Sequence, residues 1–313
     1  MDAVNPSLPL HLIVNPRSGY GGHRLLLSDL RAAARAAGRD LVEYTTRGPK
    51  DATDYARTIR DRAAVAVVWG GDGTVHEVAN GLAGSRVPIL ACPAGTENLL
   101  AKDLRIPSDP RQIMEVIRHG QVVDCDVGRI NDRSFLLIMG VGFDGEVVRR
   151  LTAVRTGHIS HLSYFWPIWR TFWEHDFPRM RIIIDGELAF DDYGLAFIGN
   201  ISRYAVGLRI CRDARFDDGL LDLVVFSCRQ QTTLLLHAAW TLLRMHPLKG
   251  DVMYRQIRSA RIETDRPVPS QADGDPGPST PLDISVSPDR IKLLIPPPRN
   301  GWGFWPWRGG NWI

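Results

Sequence analysis

The sequence has little cysteine. Cys92, Cys125, Cys211 and Cys228 are its only four in 313 residues, scattered and without a C-x-x-C pair. That excludes a disulfide framework and a zinc site of paired thiolates, and suits a reducing, cytosolic setting. It lacks an apolar run of the ~18–20 residues needed to span a bilayer. It also lacks an N-terminal basic stretch leading into an apolar one. The expectation is a cytoplasmic protein, at most peripherally associated with a membrane. Strong charge of either sign is missing too: 38 Lys and Arg stand against 35 Asp and Glu, for a net +3. This balance excludes nucleic acid as the main partner and is compatible with an anionic lipid or a nucleotide. There is no internal repeat and no Gly-Lys-Ser/Thr ending of a Walker A loop.

What is present is an ample apolar content, 44% of the chain, in a length that suits two domains. The organising stretch is AVAVVWGGDGTV, residues 64–75. Its unbroken apolar row predicts a strand buried on both faces. Gly70, Gly71 and Gly73 then let the chain turn sharply and aim several N–H groups at one anion. Thr74-Val75-His76-Glu77 fits a capping box, so a helix is expected to begin there with its positive end toward the same anion. Asp72 stands among the glycines. A carboxylate beside a phosphate repels it unless it holds Mg²⁺ or takes a proton from an attacking hydroxyl. The plainer alternative is a tight turn with Asp72 bonded to nearby backbone.

Two further strands end in polar, glycine-bearing loops. Leu10–Asn15 runs into NPRSG, and Pro88–Cys92 into PAGTEN with a helix near Leu99. A dinucleotide fingerprint fails at the first, because Arg24 stands where the third glycine of G-x-G-x-x-G belongs. Successive βα units place such loops along one sheet edge, which predicts a nucleotide cleft. From Gly120 onward the pattern alternates and reads as antiparallel strands with one or two helices. Leu162–Phe177 is an aromatic helix with Trp166, Trp169 and Trp173 on one face. It either packs on the core or offers a greasy wall to an acyl chain or lipid interface. The last residues, 297–313, form a Trp-rich tail that either wraps onto the body or anchors at a membrane interface.

Six motifs occur in order: NPRSG (15–19), GGDGTVHEV (70–78), PAGTENLLA (93–101), GVGFDG (140–145), DDGLLDL (217–223) and QADGD (271–275). Through them the sequence resembles the diacylglycerol kinase catalytic family, which includes bacterial lipid kinases, sphingosine kinases and ceramide kinases. The resemblance implies an α/β fold class: an N-terminal three-layer domain over 8–128, like NAD kinase and 6-phosphofructokinase, and a mostly β sandwich over 129–296. ATP and a lipid hydroxyl would meet between them, with Mg²⁺ as cofactor. Asn15, Ser18, Gly19, Gly70, Gly71, Gly73, Thr74, Gly95, Thr96 and Asn98 would bind the nucleotide. Asp72 and Asp275 would be catalytic, and Asp144 would face the acceptor's polar head. Asp217, Asp218 and Asp222 fall where some bacterial members hold a structural metal.

Two departures stand out. Many members have Asp after the asparagine, where this chain has Leu99, and the late motif ends in Asp275 where Glu is usual. The implied activity is an ATP-dependent lipid kinase acting on a diacylglycerol- or sphingoid-type lipid. The alternatives are a soluble NAD kinase-like enzyme and a catalytically silent lipid-binding protein. A homodimer stays open. Replacing Asp72 by Asn is expected to leave folding intact and abolish transfer.

Overall fold

The apolar rows of the first third pair side by side, and glycine or proline stands at or within a few residues of the end of each. The computed structural model describes residues 4–18, 23–154 and 161–297. The first lobe runs β1 (Leu10–Val14), α1 (His23–Ala36), β2 (Leu41–Thr45), α2 (Asp51–Thr58), β3 (Val65–Gly70), α3 (Asp72–Leu82), β4 (Pro88–Pro93), α4 (Leu99–Asp103), α5 (Pro110–His119) and β5 (Gln121–Cys125). β1, β2, β3 and β4 are parallel neighbours in the order β2-β1-β3-β4. Every residue of β1 and β3 is buried. Such burial needs cover on both faces, and the helices supply it, α1 packing with α5 and α2 with α3.

The order matters for function. From β1 the chain moves to β2 on one side and to β3 on the other. The loops after β1 and β3 therefore part at a topological switch point, where open α/β sheets bind ligands.

Helix α5 escaped the sequence reading although its signal is strong. Asp109 accepts hydrogen bonds from Arg111 N and Gln112 N, and Pro110 takes the first helical position. Such a cap is worth about 1 kcal/mol.

The second lobe runs β6 (Gly128–Ile130), β7 (Arg133–Phe135), β8 (Ile138–Val141), α6 (Phe143–Val154), α7 (His161–Glu174), β9 (Arg179–Ile184), β10 (Glu187–Gly199), β11 (Leu221–Ser227), α8 (Gln231–Leu242), β12 (Val252–Ile257), β13 (Ser259–Thr264), β14 (Ser270–Ala272), β15 (Asp275–Pro276), β16 (Leu282–Val286) and β17 (Ile291–Ile295). The thirteen-residue β10 is the spine of its sheet. Its first half pairs with β9. That pairing runs to Tyr193 across an irregularity between Leu188 and Phe190, and from Gly194 onward β10 pairs with β11 and then also with β8. At the changeover sits Gly194, where a Cβ would come within 2.3 Å of Phe226 O. The sheet so folds over itself as a sandwich around Met139, Ile182, Ile198, Leu223, Ile262 and Ile284. Each such side chain contributes about 1.5–3 kcal/mol by leaving water.

One strand from the second half of the chain belongs to the first sheet. β17 does not stay in the sandwich. It inserts between β4 and β5 of the first sheet, parallel to β4 and antiparallel to β5. Among the described residues no helix is long and apolar enough to cross a membrane.

Candidate active site

Three loops meet at the carboxyl edge of the first sheet. Asn15 N donates to Trp69 O at 3.0 Å, tying the end of β1 to β3. Its side-chain Nδ2 donates to Thr74 Oγ1 at 2.8 Å. Ser18 Oγ accepts from Gly71 N at 3.2 Å. Gly70 has no room for a side chain, since a Cβ would lie 2.7 Å from that of Thr74. The loops after β3 and β4 touch backbone to backbone: a Cβ on Gly95 would come within 2.5 Å of Gly71 Cα. Asn98 takes the left-handed region at φ 50 and folds its amide back onto Gly95, accepting from Gly95 N at 2.6 Å and donating to Gly95 O at 2.8 Å.

The expected capping box does not form. α3 begins at Asp72, with Gly71 as a cap that offers no side chain. Gly71 O accepts from both Thr74 N and Val75 N, so Thr74 lies inside the first turn. Glu77 reaches away instead and accepts from Lys50 N at 3.0 Å. The positive end of the eleven-residue α3 still points into the loops.

These loops enclose a cleft of about 490 Å³. Asn15, Ser18, Gly71, Gly73, Thr74, Gly95 and Thr96 line it. Gly70 and Asn98 stand just behind as supports, and Gly19 lies outside the described residues. Arg17 and Arg47 also line the cleft and bring positive charge that the motif reading missed. Arg47 belongs to the turn after β2, a loop with one glycine and a proline that carries no recognisable motif.

Besides Glu77 on the lining, four aspartates bear on this cleft directly or through its supports, and they differ in kind. Asp72 is half-buried, one residue behind the lining. It accepts from Leu99 N at 3.0 Å and Leu100 N at 3.2 Å, so it caps α4 in place of the occupied Asn98. Burial raises its pKa, the two amides oppose that, and the negative charges of Asp273 and Glu97 add to the rise. Asp273 is a buried anchor at φ 52. It accepts from Leu136 N at 2.7 Å, Leu137 N at 2.8 Å and Ile138 N at 3.1 Å. Asp275, two residues on, is exposed and lines the cleft from the second lobe.

Asp144 opens α6 and is 5% exposed. It accepts from Gln271 Nε2 at 2.7 Å and from the Tyr204 hydroxyl. Burial pushes its carboxyl up to about 6 against those two bonds. Gln271 Oε1 accepts from Gly274 N at 2.9 Å. Asp144 is therefore the buried end of a network that reaches the hairpin bearing Asp275.

A model of the diacylglycerol kinase catalytic domain matches residues 9–130. A second, the YegS C-terminal NAD kinase beta sandwich-like domain, matches residues 138–295.

The chain belongs to the diacylglycerol kinase catalytic family.

It is 28% identical over 292 residues to a diacylglycerol kinase of Mycobacterium tuberculosis, covering 91% of this chain and 94% of that one. It is 26% identical over 289 residues to the Staphylococcus carnosus diacylglycerol kinase, again over 91% and 94%. A crystal structure of a diacylglycerol kinase from Bacillus anthracis superposes with TM-score 0.74 at 25% identity, covering 92% and 97%. Another structure from that organism shares the fold with TM-score 0.76 at 24% identity, over 92% and 98%.

In this diacylglycerol kinase family member the acidic turn does not gather its carboxylates into a ligand set. Asp217 pairs with Arg215 Nε at 3.2 Å. Asp218 accepts from Leu220 N at 3.0 Å. Asp222 is buried and accepts from the Tyr254 hydroxyl at 2.7 Å, and burial pushes its pKa up to about 7. Among the described residues no three or more His, Cys, Asp or Glu side chains converge to hold a metal. The turn is instead held by Asp126, which the motifs did not flag. Asp126 accepts from Gly219 N at 2.6 Å and pairs with Arg290 Nη2 at 2.7 Å.

The aromatic helix α7 is only partly core. Phe172 and Thr171 are buried, whereas Trp169 and Trp173 are exposed. The Trp166 side chain and the tail from residue 298 lie outside the described residues.

Proposed function

We propose that this chain transfers the γ-phosphoryl group of ATP to a hydroxyl of a diacylglycerol- or sphingoid-type lipid, in the cleft between its lobes. One observation carries the reading: loops from β1, β3 and β4 converge with Asp275 of the other lobe on a single cleft. The residues fit a nucleotide. A helix N-terminus, the hydroxyls of Ser18, Thr74 and Thr96, and the cations Arg17 and Arg47 all suit a polyphosphate. Mg²⁺ binds with one or two carboxylates beside phosphate oxygens, and Asp275 is the exposed carboxylate that would hold it. Bound there, the ion would neutralise charge on the transferring phosphoryl.

Asp72 then has two tasks. It fixes the start of α4 beside the cleft, and its negative charge orients or deprotonates the acceptor hydroxyl. Desolvation favours a base that holds a proton more tightly, which is the direction of its shift. Asp144 sets the lipid head through the Gln271 network. The test is transfer of radiolabel from γ-labelled ATP into a total lipid extract, with NAD as the competing acceptor. Label in a lipid product supports the reading. Label in NAD phosphate, or in neither, refutes it.

A further inference from the structure

Helix α8 is built inside out. Its inward side carries His237 and Thr241, each 3% exposed. His237 Nε2 bonds Ser227 O at 2.9 Å, and Thr241 Oγ1 donates to His237 O at 2.7 Å. The outward side carries Leu235, Leu236, Ala239, Leu242 and Leu243, all exposed. With 3.6 residues per turn they fall within an arc of about 120°. Leu248, in the turn that follows and packs on α8, is 74% exposed. Surface helices ordinarily do the reverse. A contiguous apolar patch of this kind marks a contact surface.

The charge around the patch is mainly basic, with half-exposed Asp251, 3.9 Å from His237 Nε2, an acid at its edge. Between Gln230 and Gly250 there is no Asp or Glu. Exposed Arg244 closes the helix at φ 60. Lys249 Nζ sits 4.7 Å over the Trp240 ring. Arg209 lies close enough to Arg203, Arg244 and Arg105 that their charges add to burial in lowering its pKa. Asp103, 3.5 Å from Arg203 Nε, is the acid in that group. At the other end of α8, Gln231 Nε2 donates to His175 O at 3.0 Å. That bond joins the patch to the end of α7, where Trp169 and Trp173 are exposed.

We propose that the outer face of α8 docks on an anionic lipid bilayer, its leucines at the acyl boundary and Arg244 and Lys249 among the headgroups. Apolar area and basic flanks together are what interfacial helices use, and long basic side chains can lie along the apolar surface with their heads in the polar layer. A second copy of the chain would bring the same cations rather than their complement. The choice of a bilayer as occupant rests on the lipid-kinase reading. The geometry adds a reason: Leu234 of α8 and Tyr204 pack on the same buried cluster, and Tyr204 bonds Asp144. Docking there would put the lipid surface one layer from the proposed headgroup network.

The test is sedimentation of the full chain with vesicles of phosphatidylglycerol and phosphatidylcholine, without ATP. The wild-type chain is expected to bind them, and to bind pure phosphatidylcholine or high-salt samples more weakly. Leu236→Gln with Leu243→Gln is expected to lose about tenfold per leucine, and Arg244→Gln about fivefold. These side chains are exposed, so melting temperature should hold. Transfer to a short-chain lipid dissolved as monomer should also hold in every variant. Vesicle binding needs no turnover. A chain that binds vesicles as expected yet transfers nothing to any lipid therefore sinks the kinase reading and leaves docking standing. Wild-type binding by the leucine variant overturns the docking proposal. So does binding indifferent to lipid charge and salt. So does a dimer that the leucine substitutions split while vesicle binding stays unchanged.

Discussion

His76 Nδ1 lies 3.7 Å from Asp273 Oδ2, and at this pair the two lobes touch beside the cleft. His76 comes from α3 and Asp273 from the turn between β14 and β15. The Asp273 side chain is 1% exposed and its oxygens serve three amides, those of Leu136 and Leu137 in the turn before β8 and that of Ile138 at its start. Asp273→Ala should therefore cost stability, roughly 3 kcal/mol for buried N–H groups left unpaired. Asp275→Asn should leave melting unchanged and cut turnover, with Asp275→Glu recovering most of it. Calorimetry and kcat on the same preparations separate the two acids. A melting loss in Asp275→Asn would count against its placement as the exposed partner.

Asp72→Asn now carries two expected effects rather than one. An amide can accept at one atom only, so the Leu99 or Leu100 N–H loses its partner. Stability should fall by about 1 kcal/mol. Turnover should fall by about 100-fold or more, the range of a lost acid–base group. Saturating ATP should not restore it. Wild-type kcat in a folded variant would remove Asp72 from the chemistry.

The two cleft glycines should respond differently. Gly95→Ala forces a methyl to 2.5 Å from Gly71 Cα, so the loops must part. Lower melting temperature and a higher KM for ATP are expected together. A Cβ on Gly73 meets no protein atom within 4 Å. Gly73→Ala should thus melt like wild type and raise KM for ATP alone, because the methyl occupies the cleft. Equal stability losses in both would argue against the loop contact.

Asp144 should leave a mark on stability against pH. Its native pKa is about 6, above the ordinary carboxylate value. Between roughly pH 4 and 6 the folded chain holds a proton that the unfolded chain has released. Its contribution is full below that window and is lost as pH rises through it. Asp222, pushed to about 7, acts in the same direction, while burial lowers His175 to about 4 and acts in the opposite one. The difference between Asp144→Asn and wild type isolates one group. The variant's melting advantage should grow as pH rises from about 4 to 6 and level off above about 7. A constant difference would mean that Asp144 does not titrate there.

The parts of this site that the sequence made legible are those set by local rules. Apolar rows ending in glycine gave β1, β3 and β4 and the loops that line the cleft. Thr74 misled because a capping box and a first helical turn share residues, and only the Gly71 carbonyl, taking two N–H groups, decides between them. Asp72 could be read as a base or as a turn residue bonded to nearby backbone, because its actual partners, the Leu99 and Leu100 amides, open a different helix, α4. The anchoring role of Asp273 was not legible, since its burial depends on pairing with the chain near Leu137. The inverted face of α8 was invisible too: its periodicity is apolar nearly all round, and only tertiary packing reveals which side is covered.

The placement of β17 has a consequence for how the molecule is made. A ribosome releases residues 291–295 long after β4 and β5, yet those two strands are separated by β17 and cannot close on each other without it. The first lobe is consequently completed only after the chain of the sandwich has been made. A fragment ending at residue 128 would carry an unsealed seam through its sheet.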